Sequence, residues 1–205
     1  EVTVGGDGFV KGEGATYDVT GSQTVVGKSD NEFAYTLNSN TKAGNYIITP
    51  VKGELEVTAS TEKVTVTIKG HTHTKMYDGE PYTVTGYDVE SISSKLYKES
   101  DFSFDGKNNT VTGTNASDAT YTMGLSKDNF TNINDNFSNV EFVVVDGWLK
   151  INPRPVKLTA KPSTVNYDGK EHGYIGHDEA GLVNGHTSTV QSDFTAKLVG
   201  VYENK

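Results

Sequence analysis

The chain repeats itself, and the repeat constrains its fold more than any other feature. Tyr77-Asp78-Gly79 recurs as Tyr167-Asp168-Gly169, ninety residues on, and Val19-Thr20-Gly21 recurs as Val111-Thr112-Gly113, ninety-two on. Val51-Lys52-Gly53-Glu54-Leu55-Glu56-Val57 is matched by Val145-Asp146-Gly147-Trp148-Leu149-Lys150-Ile151, ninety-four on. Three unrelated landmarks at nearly one offset define a unit of about ninety residues, the drift being that of short loop insertions. An array of such units spans distance or multiplies weak contacts, rather than enclosing one catalytic pocket. The landmarks divide the 205 residues into a complete central repeat, 62–152, and two partial ones, 1–59 and 155–205. The first partial repeat has the Val-Thr-Gly and closing runs without Tyr-Asp-Gly, and the last has Tyr-Asp-Gly without the later landmarks. The chain is therefore expected to be a piece of a longer one.

Local patterning predicts strands throughout. Apolar and polar residues alternate over 16–20, 32–37, 46–49, 54–58, 63–68, 82–85, 110–113, 120–124, 141–145, 148–151 and 156–160. Such period-two runs, rich in Val, Thr, Tyr, Ile and Phe, fit half-buried strands. Lys52-Gly53 and Asp146-Gly147 lie between alternating runs and predict a closing hairpin in each repeat, because Gly accepts positive φ. Helical periodicity is missing, and one turn around 126–132 is the only helical candidate. Pro153 and Pro155 stiffen the passage from the central repeat to the last. The fold class expected is all-β with at most a short helical turn: tandem small β-sandwich, immunoglobulin-like or β-grasp-like modules in an elongated array.

Composition removes several function classes. Hydrophobic residues are 34 % of the chain, and the 22 Gly bring it only to the lower edge of the globular range. Cores are therefore expected to be thin. With no Cys, disulfides, thiolate metal sites and Cys nucleophiles are excluded. The net charge is −9 and the 18 Lys and Arg are scattered, so there is no basic stripe to follow a nucleic acid. The longest apolar run, Phe142-Val143-Val144-Val145, is far short of the ~20 residues a spanning helix needs, so no membrane insertion is expected in this segment.

Lys75-Met76-Tyr77-Asp78-Gly79-Glu80-Pro81-Tyr82 and Val165-Asn166-Tyr167-Asp168-Gly169-Lys170-Glu171-His172 resemble the opening of the YDG/MBG-type repeats of bacterial surface proteins. The stretches 8–17 and 19–24 are similar to the middle of such a repeat. Ala43-Gly44-Asn45-Tyr46-Ile47-Ile48 with Gly53-Glu54-Leu55-Glu56-Val57 is similar to its close, and Gly181-Leu182-Val183-Asn184-Gly185-His186 to the segment after the tyrosine motif. The central repeat departs from the pattern over 91–105. The resemblance implies secreted or wall-anchored proteins of Firmicutes-like bacteria with adhesive or stalk roles. It implies neither a catalytic site nor a cofactor.

Tyr-Asp-Gly reads physically as a turn, in which Asp bonds its own downstream backbone, Gly supplies the dihedral and Tyr packs on the sheet. A ligand role for Tyr77 or Tyr167 is the alternative. Tyr82, Tyr87 and Tyr97 are candidate rings for stacking on sugars, but with 11 Tyr against 1 Trp a core and cross-strand role is the favoured reading. His71 and His73, at i and i+2, are candidates for one metal, although zinc needs further ligands. Asp128, Asn129, Asn132, Asn134, Asp135 and Asn136 resemble a calcium loop without its Gly and terminal Glu, which favours a solvated loop. Four Asn-X-Ser/Thr sequons begin at Asn108, Asn115, Asn129 and Asn136. No Gly-X-Ser-X-Gly elbow is present. The function expected is a non-catalytic stalk whose partners are neighbouring repeats. Binding of host glycan, mucin or matrix protein by the modules is the alternative, and a glycan-active enzyme fragment a distant third.

Overall fold

The computed structural model describes residues 1–173, 176–189 and 195–202. Parts of the last repeat segment, and the C-terminal residues 203–205, lie outside the described residues. Strands dominate, as the alternation predicts. The first segment holds β1 (Ala15–Val19), β2 (Gly27–Asn31), β3 (Phe33–Leu37) and β4 (Gly53–Val57). The central segment begins with β5 (Val64–Gly70), β6 (Thr72–Met76), β7 (Tyr82–Thr85), β8 (Tyr87–Ile92) and β9 (Phe102–Phe104). It continues with β10 (Thr110–Gly113), β11 (Tyr121–Thr122), β12 (Phe130–Asn132), β13 (Val140–Val145) and β14 (Trp148–Asn152). The last holds β15 (Lys157–Ala160), β16 (His172–Gly173), β17 (His177–Ala180) and β18 (Thr195–Ala196). Helical structure among the described residues is limited to three 3-10 turns, Ala43–Asn45, Glu99–Asp101 and Lys127–Asn129, the last where the sequence predicts one.

The chain divides into two compact units, one of 1–66, 91–103 and 130–143, the other of 67–90, 104–129 and 144–202 among the described residues. In the first, β1 and β3 pair antiparallel from Ala15↔Leu37 to Val19↔Phe33, and β2 and β4 from Gly27↔Val57 to Asn31↔Gly53. Ser60 and Phe137 form a parallel bridge. Phe102, Phe130 and Phe142 pack ring to ring with centroids 5.4–6.1 Å apart. Tyr97 is buried, its ring edge-on to Phe137 at 5.1 Å. This is the core role and not the sugar-stacking one: its hydroxyl reaches Asn132 Oδ1 (2.8 Å) and the Asp101 carbonyl (3.0 Å), so the ring can enter the core.

In the second unit, β14 lies between β11, antiparallel, and β6, parallel from Thr72↔Trp148 to Met76↔Asn152. The opening and closing strands of the central repeat are thus direct neighbours. Leu149 and Ile151 of β14 are fully buried. β7 pairs with β10, β15 with β17, and β16 with β18, all antiparallel.

Two strand pairings recur at the offsets of the sequence landmarks. Leu149 of β14 faces Tyr121 and Trp148 faces Thr122, while Leu55 of β4 faces Ser29 and Glu54 faces Asp30. Each residue is displaced by ninety-two to ninety-four positions, so the two pairings share one register. The last segment repeats the opening half: the His71 N–H donates to the Gly86 carbonyl, and ninety residues on the Lys161 N–H donates to the Gly176 carbonyl, both at 3.0 Å.

Three predictions of local structure fail and a fourth holds only in part. Asp146-Gly147 is not a hairpin, because β13 belongs to the sheet ordered β13-β5-β8 and β14 to another. Asp146 instead accepts the Leu125 and Gly124 N–H groups (2.8 and 3.0 Å), and Gly147 meets Gly70 backbone to backbone. A Cβ on Gly70 would lie 2.3 Å from the Gly147 nitrogen, so chain crossing, not turn formation, requires these glycines. Residues 46–49 are not a strand, so Lys52-Gly53 closes no hairpin either, and β4 pairs with β2. The counterparts of 46–51 are 140–145, which are held by β5. Without such a neighbour the alternation does not produce a strand. Finally, 120–124 shortens to Tyr121–Thr122.

Candidate functional site

Both Tyr-Asp-Gly motifs fold as turns. Asp78 Oδ1 accepts the Glu80 N–H (3.1 Å), Asp168 Oδ1 accepts the Lys170 N–H (2.9 Å), and Gly79 and Gly169 take φ of +86° and +76°. These are Asx turns that need Gly at the third position. Lys75 holds the Asp78 carboxyl below its usual range through a 2.7 Å ion pair, aided by the Glu80 N–H. Asp168 is lowered first by the Lys170 N–H and then by His172, whose Nε2 is 2.9 Å away.

The tyrosines differ. Tyr167 is largely exposed, so the expectation that this ring packs on a sheet fails there. Tyr77 is half-buried, and its ring lies 5.9 Å from that of His186, with the hydroxyl 3.5 Å from Nε2. Beside it, a Cβ on Gly79 would come within 2.8 Å of Val183 Cγ1. Arg154, between the two linker prolines, donates from Nε to the Gly181 carbonyl (2.5 Å). The Tyr-Asp-Gly turn of the central repeat, the linker and the loop 181–186 therefore form one junction. Tyr87 is half-buried and edge-on to Phe104 at 5.0 Å, a packing contact between two sheets.

His71 and His73 have separate partners. His71 Nδ1 lies 2.7 Å from the Thr85 carbonyl and Nε2 3.3 Å from Asp88, and Asp88 first, then Thr85, raises the imidazole above 6.5. His73 is stacked on Tyr82 at 4.6 Å, and the same ring carries Lys75 Nζ at 5.0 Å. Among the described residues no group of three His, Cys, Asp or Glu is gathered as a metal site.

The oxygen-rich stretch is not a solvated loop. Asn132 Oδ1 accepts from Tyr97 and from the Asn134 N–H, and its amide donates to the Asn134 and Phe137 carbonyls. Asn134 Oδ1 in turn accepts from Asn136, whose own Oδ1 accepts the Val26 N–H (2.7 Å). Asn129 is buried, bonded to the Ser126 N–H and to Asp105. The amides that would face a cation satisfy backbone instead, and burial removes Asn129 as a glycan acceptor.

One cluster has no signal in sequence: Ser188, His177 and Glu179. His177 Nε2 lies 2.7 Å from Ser188 Oγ and 2.9 Å from Glu179, and the Ser188 hydroxyl also bonds Glu179 directly. A nucleophile relay needs the base to face serine through one nitrogen and the carboxylate through the other. Here one nitrogen meets both, so among the described residues these three form a polar clasp.

The first unit also has an open cleft of about 400 Å³, lined by Thr24, Ser60, Glu62, Ser93, Asn136 and Phe137 among others. It offers hydroxyls, an amide and a ring edge but no pair of carboxylates. Among the described residues no helix is long and apolar enough to cross a membrane. No family model matches the chain, and no curated protein or solved structure matches it.

Proposed function

We propose that this chain is a non-catalytic extracellular repeat segment of a bacterial surface protein, a load-bearing spacer that projects an adhesive region from the cell wall. The observation that carries the reading is the parallel pairing of β6 with β14, the opening and closing strands of the central repeat. Tension entering at the start of a repeat and leaving at its end pulls such neighbours in opposite directions. Their evenly spaced hydrogen bonds are then sheared together instead of being opened one by one. The junction of Tyr77, Gly79, Arg154, Gly181, Val183 and His186 supports the same reading, because it ties one repeat to the next beyond the covalent linker. Resemblance to the YDG/MBG-type repeats supports the extracellular, wall-associated setting.

Force spectroscopy tests it, since a chain without Cys takes unique thiol handles. Handles at Glu62→Cys and Asn152→Cys load the strand pair in shear, and handles at Glu80→Cys and Asn152→Cys peel it. The first geometry should need clearly the larger force, and equal forces would sink the reading. The second reading, that the modules themselves bind host glycan, mucin or matrix protein, is favoured by the polar cleft beside Phe137. A glycan array with Asn136→Ala as control separates the two: binding lost in the variant supports the second reading, and no binding removes it.

A further inference from the structure

Asn184-Gly185 is the only Asn-Gly pair in the 205 residues, and it lies in the loop that packs on the Tyr-Asp-Gly turn of the central repeat. The His186 N–H donates to the Val183 carbonyl (2.9 Å), and Gly185 has a φ of +86°. Asn184 and Gly185 are thus the central pair of a turn whose second position takes positive φ and suits Gly. Asn184 is exposed, and a Cβ on Gly185 would meet nothing within 4 Å. Neither the Asn184 amide nor the Gly185 N–H has a hydrogen-bond partner among the described residues. Acidic residues before Gly are placed differently. Asp78, Asp105, Asp146 and Asp168 each accept N–H groups on their carboxyl oxygens. Lys75 holds Asp78, and the Lys170 N–H holds Asp168, in the carboxylate form. A bonded carboxylate is a poor acyl acceptor, whereas an unbonded neutral amide is open to attack.

We propose that Asn184 is a site of self-modification, at which the Gly185 nitrogen attacks the Asn184 side chain in the folded protein. The Gly185 N–H gives its proton to solvent, the nitrogen bonds to Asn184 Cγ, and the Cγ–Nδ2 bond breaks to release ammonia. One water then opens the cyclic imide. Opening at Cγ leaves aspartate, and opening at the main-chain carbonyl carbon leaves isoaspartate, whose Cβ has joined the backbone. Ammonia leaves and water enters, with no oxidant or reductant. Either product sets a carboxylate between Val183, which lies against Gly79, and His186, which lies against the Tyr77 ring. Isoaspartate also lengthens the backbone of the turn by one atom, so those two contacts can no longer keep their spacing. The junction between the loop 181–186 and the central Tyr-Asp-Gly turn is loosened as a result.

The chain held folded at mildly alkaline pH and mapped by peptide mass tests it. Exchange of ammonia for water at Asn184 should be about tenfold faster than at any other Asn, because only there does no Cβ crowd the attacking nitrogen. Its rate should be nearly the same in urea, whereas isoaspartate at Asp78 and Asp168 should form faster in urea, where their turns are lost. Conversion of Asn184 no faster than that of other Asn, or in urea alone, would overturn the proposal. Asn184→Gln should abolish the fast phase with Trp148 emission unchanged, and a fast phase that persists would overturn the assignment. In NMR spectra of the parent, the Tyr77 and His186 ring resonances should shift as product accumulates; unmoved rings would refute the effect on the junction.

Discussion

Leu149 and Leu55 occupy the same position in two copies of one strand, which makes them a matched experiment. Leu149 has no exposed surface and sits in β14 between β11 and β6. Leu149→Ala removes three carbons from a site walled on both sides by hydrogen-bonded strands, where collapse is restricted, so a loss of about 3 kcal/mol is expected from the 2–5 kcal/mol range for such truncations. Leu55 is half-buried, and truncating it should cost about 1 kcal/mol or less. Trp148, the only Trp, adjoins Leu149 and reports on the central repeat alone. With a urea slope of about 1.5 kcal/mol/M, Leu149→Ala should lower the midpoint followed by Trp148 fluorescence by about 2 M. Leu55→Ala should leave that midpoint unchanged. Equal shifts from the two variants, or a Leu149→Ala shift below about 0.5 M, would refute the claim that the same residue is core in one copy and edge in the other.

Further outcomes follow from single sites. Gly70→Ala should prevent folding of the central repeat, because its Cβ would meet backbone and not a movable side chain; a native-like Trp148 emission from this variant would contradict the crossing. Tyr97→Phe should cost about 1 kcal/mol by removing the one hydroxyl proton offered to Asn132 Oδ1 and the Asp101 carbonyl, each of which keeps a backbone donor. In spectrophotometric titration of the parent, a phenol pushed up to about 12 by burial should be seen and should disappear in this variant. His71 is raised above 6.5 in the folded chain, so its contribution to stability is complete below the unfolded value near 6.5 and is lost as pH rises through the raised folded value. Imidazole NMR shifts should place His71 above 6.5 in the parent and nearer to it in Asp88→Asn; no difference between the two would refute the assignment to Asp88.

What the sequence shows depends on how local the physics is. The Tyr-Asp-Gly turns are legible because an Asx bond and a positive-φ glycine are set within four residues. The turn at Lys127–Asn129 is legible for the same reason, although it is Asn129 that reaches back to the Ser126 N–H. Alternation identifies most strands, and the repeat offset carries their register from one copy to another. Pairing partners are not local, and there the reading fails. Asp146-Gly147 has the composition of a hairpin, yet its glycine serves a crossing against Gly70, seventy-seven residues away in sequence. Residues 46–49 alternate as a strand should and form none. The same non-locality hides the contact of Tyr77 with His186 and the clasp of Ser188, His177 and Glu179.

A repeat is completed only when its opening and closing strands meet. Native-state hydrogen exchange on the dilute, unmodified chain is the test. Amides in 72–77 and 148–152 should be strongly protected, while their counterparts in 162–167 exchange freely and 46–51 exchanges far faster than 140–145. Comparable protection of both sets in the dilute chain would contradict it.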